Sequence, residues 1–274
     1  MAIGYVCTNY NNSEFTVKAV ESLNSASAQE YVIVVVDNSS TLSGVRQLQD
    51  MASRYDNVTL LLNRENVGYF RGLNLGIKHL RAQHPEVDWM IVGNNDLEFP
   101  PDFAATLAAR RSELESHPVV SPDIVTVEGK HQNPHVIEGV SRLRELVYDL
   151  YYANYYLGLA IQKVARLLSR ATERGDEREW QTPRHIYQGH GACYLLGPRF
   201  FKLFSELWAP TFMMSEEYFL SKQLSDVGFQ VYYEPAIRVI HHWHGSLEKL
   251  PSRKRWSMAR DAHREYRKYI KVFG

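Results

Sequence analysis

The chain has 274 residues, and its 31 lysines and arginines balance its 31 aspartates and glutamates to a formal net charge of zero. With 45% apolar and 23% charged residues, the composition is that of a folded globular protein and excludes a disordered or fibrous one. Neutrality also argues against binding nucleic acid through its phosphates, which needs an excess of basic side chains.

The cysteines and the N-terminal residues indicate the cellular compartment of the protein. Cys7 and Cys193 each lie in an apolar run without a CxxC partner, which favours buried thiols over a disulfide framework or a thiolate zinc site. The first apolar run ends at Thr8 with no basic residue before it, so no export signal is predicted. No apolar run reaches the roughly 18 to 20 residues that a spanning helix requires. We therefore expect a cytoplasmic protein.

The first hundred residues alternate short β-branched runs with amphipathic segments, which predicts an α/β fold with a mostly parallel sheet covered on both faces. The predicted strands cover residues 3–8, 31–37, 58–63 and 88–93. The predicted helices cover residues 14–24, 42–54 and 71–83.

Polar residues follow each predicted strand. Ordinary turns also place polar residues at a single strand end, but open α/β sheets bind their ligands beyond the carboxyl ends of the strands. Four polar strand ends together therefore favour a pocket at this edge. They are Thr8–Tyr10, Asp37–Ser39, the residues from Asn63 onward and Asn94–Asp96.

Residues 140–182 predict an inserted helix or helical pair, because aromatic side chains recur there at three- to four-residue spacing and basic residues follow. Such a helix suits a membrane interface. It would equally suit packing on the protein's own sheet or on a second subunit, and the sequence leaves these alternatives open.

The remaining residues predict a strand at 191–196, helices at 198–207 and 216–227, and two short strands joined around Pro235 within 231–242. A basic helix is predicted at 252–272. Most basic helices are solvated faces, but this local excess also suits contact with the phosphate of a lipid-linked acceptor or of an anionic membrane.

Neither a dinucleotide fingerprint nor a P-loop follows the first strand. Asp37 ends a buried strand, where a carboxylate can accept hydrogen bonds from a nucleoside, and Thr8 and Asn9 would flank the same base. Gly68 and Gly72 lie at a helix entrance that could attract an anion with help from Arg71; turn and packing roles would also explain these glycines.

Two further segments carry acidic groups or histidines. Asp96 follows the fourth strand and is the expected ligand of a hard divalent cation, although capping of the next helix remains an alternative. Glu216 and Glu217 lie in an apolar stretch, which suits a general base of raised pKa. His241 belongs to a cluster of three histidines that suggests metal or phosphate contact.

These segments occur in an order that resembles family 2 of the glycosyltransferases, in particular its bacterial rhamnosyltransferase-like branch with a GT-A fold. The matching stretches lie at 6–12, 32–40, 65–77, 89–99, 191–201 and 215–246, together with the Arg260-Asp261 region. The resemblance covers nearly the whole chain. It implies one domain over 1–274, divided into a donor-binding half (1–100), an acceptor and catalytic half (101–246) and a basic helix (247–274).

The resemblance assigns a role to each matching residue. It implies a nucleotide-sugar pocket formed by Thr8, Asn9, Tyr10, Asp37, Asn38, Asn66, Gly68, Arg71, Gly72, Asn74 and Asn95. The family's Asp-x-Asp metal motif falls on Asn94-Asn95-Asp96, so Asp96 is the expected ligand of Mg²⁺ or Mn²⁺, with His241 as a further contact. Glu217 is the expected base, beside Glu216, and the acceptor subsite would include Gly191, Ala192 and Trp243.

The implied reaction is an inverting transfer from a UDP- or dTDP-linked sugar to a hydroxyl of a glycan or lipid-linked acceptor, in bacterial surface polysaccharide synthesis. Peripheral membrane contact and a homodimer are further expectations, and no nucleic acid partner is expected. A nucleotidyltransferase would need a glycine-rich basic signature between Thr8 and Lys18, which the sequence lacks. The alternative is a non-catalytic nucleotide-sugar-binding or scaffold protein, which the asparagine at position 94 favours.

Overall fold

The computed structural model describes residues 2–25, 31–167, 175–242 and 252–270. The expectations for Trp243 and for the end of the basic helix at Lys271 lie outside these residues. Every helix and strand predicted from the sequence falls wholly or partly within the described ranges.

The strands form one mixed nine-stranded sheet across the described part of the chain, in the order β3-β2-β1-β4-β8-β6-β9-β5, with β7 paired to β9. The pairs among β3, β2, β1 and β4 are parallel, as is β6 with β9; β4/β8, β6/β8, β5/β9 and β7/β9 are antiparallel. The strands are β1 (Ile3–Asn9), β2 (Tyr31–Asp37), β3 (Val58–Leu62), β4 (Trp89–Asn94), β5 (Leu97–Glu98), β6 (Val119–Thr126), β7 (Arg184–Ile186), β8 (Cys193–Leu196) and β9 (Val231–His241).

Helices cover both faces of this sheet, as the alternation of segments predicts. They are α1 (Ser13–Ser25), α2 (Leu42–Ala52), α3 (Tyr69–Gln83), α4 (Phe103–Leu114), α5 (Arg142–Ala153), α6 (Tyr155–Leu167), α7 (Pro198–Leu203), α8 (Glu216–Ser225) and α9 (Ser252–Tyr266), with a 3-10 turn at Asp176–Glu179. Side-chain oxygens cap several helix starts: Thr41 accepts from the N–H of Gly44 in α2, Ser141 from that of Arg144 in α5, and Asn154 from that of Tyr156 in α6.

Two apolar cores lie on opposite faces of the sheet, because alternate residues of each strand point to opposite sides. Ile33 and Val35 face the core under α1, α2 and α4. Val34 and Val36 face the other core, under α3, α7 and α8. A strand buried on both faces explains why 31–37 is an unbroken apolar run that ends in Asp37.

The second half of the sheet differs from the sequence-based expectation at β6 and β9. The predicted pair of strands around Pro235 is one strand, Val231–His241, with an irregularity in its pairing to β6 between Pro122 and Asp123. Glu234 pairs with Pro122 and Arg238 with Asp123, so three residues of β9 bulge out. Pro122 lies at this irregularity, where no regular ladder hydrogen bond is lost. The proline also breaks the strand pattern of residues 119–126, so β6 was not predicted from the sequence.

The insertion is a helical pair, α5 and α6, separated by Asn154, and α5 packs against the C-terminal helix α9. His263 and Arg267 both bond the Asp149 carboxylate, at 2.9 Å in each case. Tyr266 donates to Glu145, and the Trp256 indole donates to the carbonyl of Tyr151 at 3.2 Å. Among the described helices, none combines the length and the apolar character needed to cross a bilayer.

Candidate active site

A cavity of about 380 Å³ opens at the carboxyl ends of β1 and β4. The register brings these strand ends together, since Thr8 pairs with Asn94 and Asn9 with Asp37. The cavity is lined by twelve residues singled out from the sequence, namely Thr8, Tyr10, Asn38, Asn66, Gly68, Asn95, Asp96, Gly191, Ala192, Glu216, Glu217 and His241. The polar strand ends therefore do meet around one cavity.

Asn9 and Asp37 lie beneath the cavity rather than on its wall. Asp37 is 1% exposed, and its carboxylate accepts from the Asn9 amide at 2.7 Å and from the backbone N–H of Ser40 at 2.9 Å. Asn9 in turn accepts from Thr16 at 2.9 Å and from Asn95 at 3.1 Å. The two residues thus support the wall, and direct contact with a nucleoside stays a prediction.

Arg71 and Asn74 lie outside the cavity lining, in a second groove beside α3. The Arg71 guanidinium donates to the carbonyls of Ala209 and Pro210 at 3.2 and 3.3 Å. Asn74 exchanges two hydrogen bonds with the backbone of Leu207, at 2.7 and 2.9 Å. These side chains hold the segment that leads to α8 against α3, whereas the sequence pattern predicts that they contact the donor.

The two predicted glycines serve close packing at the start of α3. Gly72 abuts Thr8 and Asn38, where a Cβ would come within 2.7 Å of the Thr8 methyl group. Gly68 has φ +94°, and a Cβ there would overlap the carbonyl oxygen of Phe212. That oxygen accepts the Tyr69 N–H at 3.1 Å. The helix start is therefore closed on one side by the chain that leads to α8.

Asp96 and His241 meet at the cavity wall because β5 pairs antiparallel with β9, opposite Leu97. The Nε2 of His241 lies 3.2 Å from Oδ1 of Asp96 and 3.2 Å from the Asn94 amide nitrogen. Its Nδ1 lies 2.7 Å from Oε1 of Gln132, an acceptor that favours a proton on Nδ1. Nε2 then accepts from the Asn94 amide, and its lone pair would become a ligand if a cation bound beside Asp96.

This donor set fits a divalent cation held jointly by protein and substrate. The Asp96 carboxylate suits Mg²⁺ or Mn²⁺, and imidazole is the commonest metal-binding side chain in proteins. Among the described residues, no group of three or more His, Cys, Asp or Glu side chains could hold an ion alone. Asp96 and His241 would therefore supply part of the coordination, and the remaining positions would fall to oxygens from outside the chain.

A strained turn presents Glu216 and Glu217 to the cavity. Met214 and Ser215 adopt φ of +78° and +65°, a region that side-chain-bearing residues rarely occupy. Thr211 donates to the carbonyl of Met214 at 3.1 Å and holds this turn. Helix α8 starts directly after it, so both carboxylates lie in the first helical turn, where the helix dipole favours negative charge.

The two carboxylates occupy different environments. Glu216 is buried, and its Oε1 has no hydrogen-bond partner among the described residues. Burial, followed by the neighbouring charge of Glu217, raises the pKa of Glu216 to about 8. Glu217 is half-buried on the cavity wall, against the backbone of Gly191. Glu216 therefore stays largely protonated at neutral pH.

The cavity also contains residues that the sequence did not single out. Tyr69 donates its hydroxyl to the carbonyl of Gly191 at 2.8 Å, and burial raises its pKa, so the phenol stays protonated. His190 precedes Gly191, and its Nδ1 accepts from the Ala192 N–H at 3.2 Å. Asn12, Asn94, Met213, Met214 and Ser215 also line the cavity. The one signal in the sequence for Tyr69 is that it directly follows Gly68, a residue predicted to line the pocket.

The statistical model of Glycosyl transferase family 2 matches residues 6–195, more than half of the chain. The chain belongs to glycosyltransferase family 2. The matched stretch contains Asp96 and Gly191, while the acidic pair and His241 follow it in the sequence. A search of curated protein sequences finds no significant match.

Solved structures share the fold of this family member. The mannosyltransferase PcManGT from Pyrobaculum calidifontis, in complex with GDP-Man and Mn²⁺, has TM-score 0.56 and 14% identity over 98% of this chain and 65% of its own. GalNAc-T7 with UDP, GalNAc and Mn²⁺ has TM-score 0.55 and 14% identity over 89% and 44%. TarS from S. aureus has TM-score 0.55 and 13% identity over 88% and 37%. The chain thus spans between 37% and 65% of these proteins.

Two side chains of α8, Phe219 and Gln223, do not line the cavity. Phe219 is fully buried and packs its ring on that of Trp208, with centroids 5.1 Å apart. Gln223 accepts from the N–H of Trp208 at 2.9 Å and donates to the carbonyl of Glu206. Both side chains anchor the segment before α8.

Proposed function

We propose that this glycosyltransferase moves a sugar from a UDP- or dTDP-linked donor to a hydroxyl group by a single displacement with inversion. The observation that carries the proposal is that Glu217, Asp96 and His241 all line one cavity. Direct attack at an anomeric carbon requires a base for the attacking hydroxyl and positive charge for the leaving diphosphate, which a cation held by Asp96 and His241 would supply.

The donor binds at the carboxyl ends of β1 and β2. Thr8, Tyr10 and Asn38 line this part of the cavity, while Asp37 and Asn9 hold it from below. The Asn38 amide donates to the carbonyl of Gly68 at 3.0 Å and so ties the nucleoside end to the start of α3. Asn66 accepts the Gly68 N–H at 2.9 Å and shapes the same loop.

The diphosphate of the donor lies beside Asp96 and His241, with Asn95 behind them. These residues would hold Mg²⁺ or Mn²⁺. The bound ion supplies positive charge that stabilises the departing nucleoside diphosphate. The complexes of PcManGT and GalNAc-T7 with Mn²⁺ support a metal ion in this fold.

Glu217 takes the proton of the acceptor hydroxyl as that oxygen attacks the sugar. Its carboxylate lies against Gly191, so the acceptor subsite is formed by Gly191 and Ala192 on the floor and by Glu217 above them. Glu216 stays protonated beside it and adds no second negative charge next to the incoming hydroxyl. The acceptor is a glycan or lipid-linked saccharide of bacterial surface polysaccharide synthesis, as the resemblance implies.

Donor binding and turnover test the proposal separately. A panel of nucleotide-sugars with Mn²⁺ is screened by thermal shift, since a ligand that binds the folded state raises the melting temperature. Release of nucleoside diphosphate then measures turnover with the stabilising donor. We expect Glu217→Gln to lower turnover by roughly 10²- to 10⁴-fold, the range for removal of a general base, and to retain the thermal shift.

The matched control is Glu138→Gln, at an exposed carboxylate outside the cavity, which should retain full turnover. Near-normal turnover in Glu217→Gln would remove this residue from the role of base. A donor that stabilises the protein without any release of nucleoside diphosphate would instead favour the non-catalytic binding protein that the sequence leaves as the alternative.

A further inference from the structure

The insertion exposes a band of apolar side chains to solvent. Half of the large apolar side chains that are exposed in the described part of the chain lie between residues 143 and 167. On α6 the spacing places Tyr156, Leu159, Lys163 and Leu167 on one face. Tyr156 and Leu167 are 69% and 85% exposed. We call the exposed apolar residues of α5 and α6 the insertion face; they are Leu143, Val147, Tyr148, Leu150, Tyr156, Leu157, Leu159, Val164 and Leu167.

Basic side chains accompany this face. No aspartate or glutamate occurs from Leu150 to Leu167, and Lys163 is exposed within α6. The start of α9 adds exposed Arg253 and Lys254, and the guanidinium of Arg253 lies 5.7 Å from the ring of Tyr155 in α6. The apolar band is thus bordered by cations.

We propose that the insertion face docks onto the surface of an anionic lipid bilayer, with α6 lying along the interface and Lys163, Arg253 and Lys254 contacting the headgroups. Apolar and aromatic side chains suit the acyl boundary, while nearby basic residues gain from a negative surface potential. A second copy of this chain fits less well. A symmetric dimer through this face would bring its cations together without an acidic partner from α6.

The docked face is linked to the catalytic helix by direct packing. Glu145 of α5 accepts from Tyr266 of α9, whose ring lies 4.3 Å from that of Tyr218. Tyr218 follows the proposed base Glu217 in α8. Docking therefore holds the cavity at a set orientation to the bilayer. Binding to the bilayer is independent of the proposed reaction and can be measured without any substrate.

Vesicle sedimentation tests the proposal with the intact protein. One vesicle population is phosphatidylcholine alone, and the other contains about 30% phosphatidylglycerol. We expect binding to the anionic vesicles that weakens as salt is raised, since salt screens surface charge. Arg253→Gln with Lys254→Gln should weaken it about fivefold for each side chain, the effect of one basic residue near an anionic surface. Tyr156→Gln with Leu167→Gln should also lower the bound fraction several-fold.

Matched controls place the same changes elsewhere on the surface. Leu42→Gln with Val127→Gln alters two exposed apolar residues outside the insertion, and Arg46→Gln removes an exposed cation of α2. These variants should bind like the parent protein, and all variants should keep the parent melting temperature. The proposal is overturned if the parent protein does not bind anionic vesicles, or if the insertion variants bind these vesicles as well as the control variants do. It is equally overturned if sedimentation equilibrium shows a dimer that the Tyr156→Gln/Leu167→Gln variant dissociates while vesicle binding is absent.

Discussion

The backbone of Gly191 packs directly against the carboxylate of Glu217. A Cβ at position 191 would lie 2.5 Å from Oε1, closer than van der Waals contact allows. The same glycine accepts the hydroxyl of Tyr69 through its carbonyl at 2.8 Å. One residue between β7 and β8 therefore determines where the proposed base sits relative to the acceptor subsite.

Gly191→Ala should lower turnover without unfolding the protein. The new methyl group must displace the Glu217 carboxylate, which is the end of a flexible side chain, so the fold adapts while the base moves. A misplacement near 1 Å costs roughly 10²-fold in rate, and donor affinity should change little. Steady-state kinetics and donor titration measure the two effects. Gly175→Ala, where a Cβ meets nothing within 4 Å, is the control; equal turnover in the two variants would contradict this assignment.

The raised pKa of Glu216 predicts that stability falls as pH rises from 6.5 to 8. Its pKa is about 8 in the folded protein against 4.5 as the ordinary value, so the folded state binds more protons than the unfolded state between these values. The free energy of unfolding therefore decreases with pH in this window, by about 2 kcal/mol over 1.5 pH units. Urea unfolding at several pH values measures this decrease in the free energy of unfolding.

Glu216→Gln should remove most of this slope, because glutamine cannot ionise. Burial lowers the pKa of His190 to about 3, so this histidine is neutral in the folded protein throughout the window and contributes little above pH 6.5. The parent slope persisting unchanged in Glu216→Gln would mean that another group is responsible.

Asp96→Ala should weaken donor binding in the presence of Mn²⁺. Removal of the carboxylate leaves the ion with one proposed protein ligand, and even indirect partners of a metal site typically change metal affinity by roughly 10- to 100-fold. Isothermal titration of the donor with Mn²⁺ and with chelator measures the metal-dependent part. His241→Ala should act in the same direction, whereas His242→Ala, whose ring pairs with Glu98 at 2.8 Å, should not. Equal donor affinity of the parent with metal and with chelator would refute the metal role.

Gly68→Ala should destabilise the fold by about 3 kcal/mol. Gly68 has φ +94° and ψ −175°, a region that is essentially restricted to glycine, so another residue there costs roughly 1–3 kcal/mol, and overlap with the Phe212 carbonyl adds an overpacking penalty. Gly129 has φ +80° with no atom within 4 Å of its Cβ position, so Gly129→Ala isolates the backbone term at about 1 kcal/mol. Denaturant unfolding measures the free energy of unfolding of both variants. Equal losses of stability in Gly68→Ala and Gly129→Ala would show that the Phe212 carbonyl adds no steric penalty.

Local patterns in the sequence predicted much of the architecture. The buried β-branched runs and their amphipathic neighbours predicted β1 to β4 and α1 to α3, because periodicity and burial on both faces are properties of consecutive residues. The polar strand ends likewise predicted the edge at which the cavity opens. Strand β6 was missed because Pro122 interrupts its pattern. The sequence indicates the start of a helix after Asp96 but not the bounds of α4, because the apolar positions of α4 are mostly alanines with little amphipathic contrast.

The roles of individual site residues depended on the tertiary structure. Arg71 and Asn74 match the family pattern, yet they bond backbone carbonyls in a neighbouring groove, because the segment after Leu207 crosses α3 there. Asp37 ends the predicted strand, yet its carboxylate is occupied by Asn9 and Ser40. Sequence spacing indicates which residues share a strand end, but not which of them faces the cavity.

The sequence by itself determined the α/β class, the edge of the sheet that carries the cavity, and the family resemblance that the comparison confirmed. Only the tertiary structure decided that His241 meets Asp96, that Gly191 abuts Glu217 and that the insertion packs on α9. These contacts join residues 145, 26 and more than 100 positions apart. They arise from strand pairing and helix packing between distant segments, which no local pattern of residues encodes.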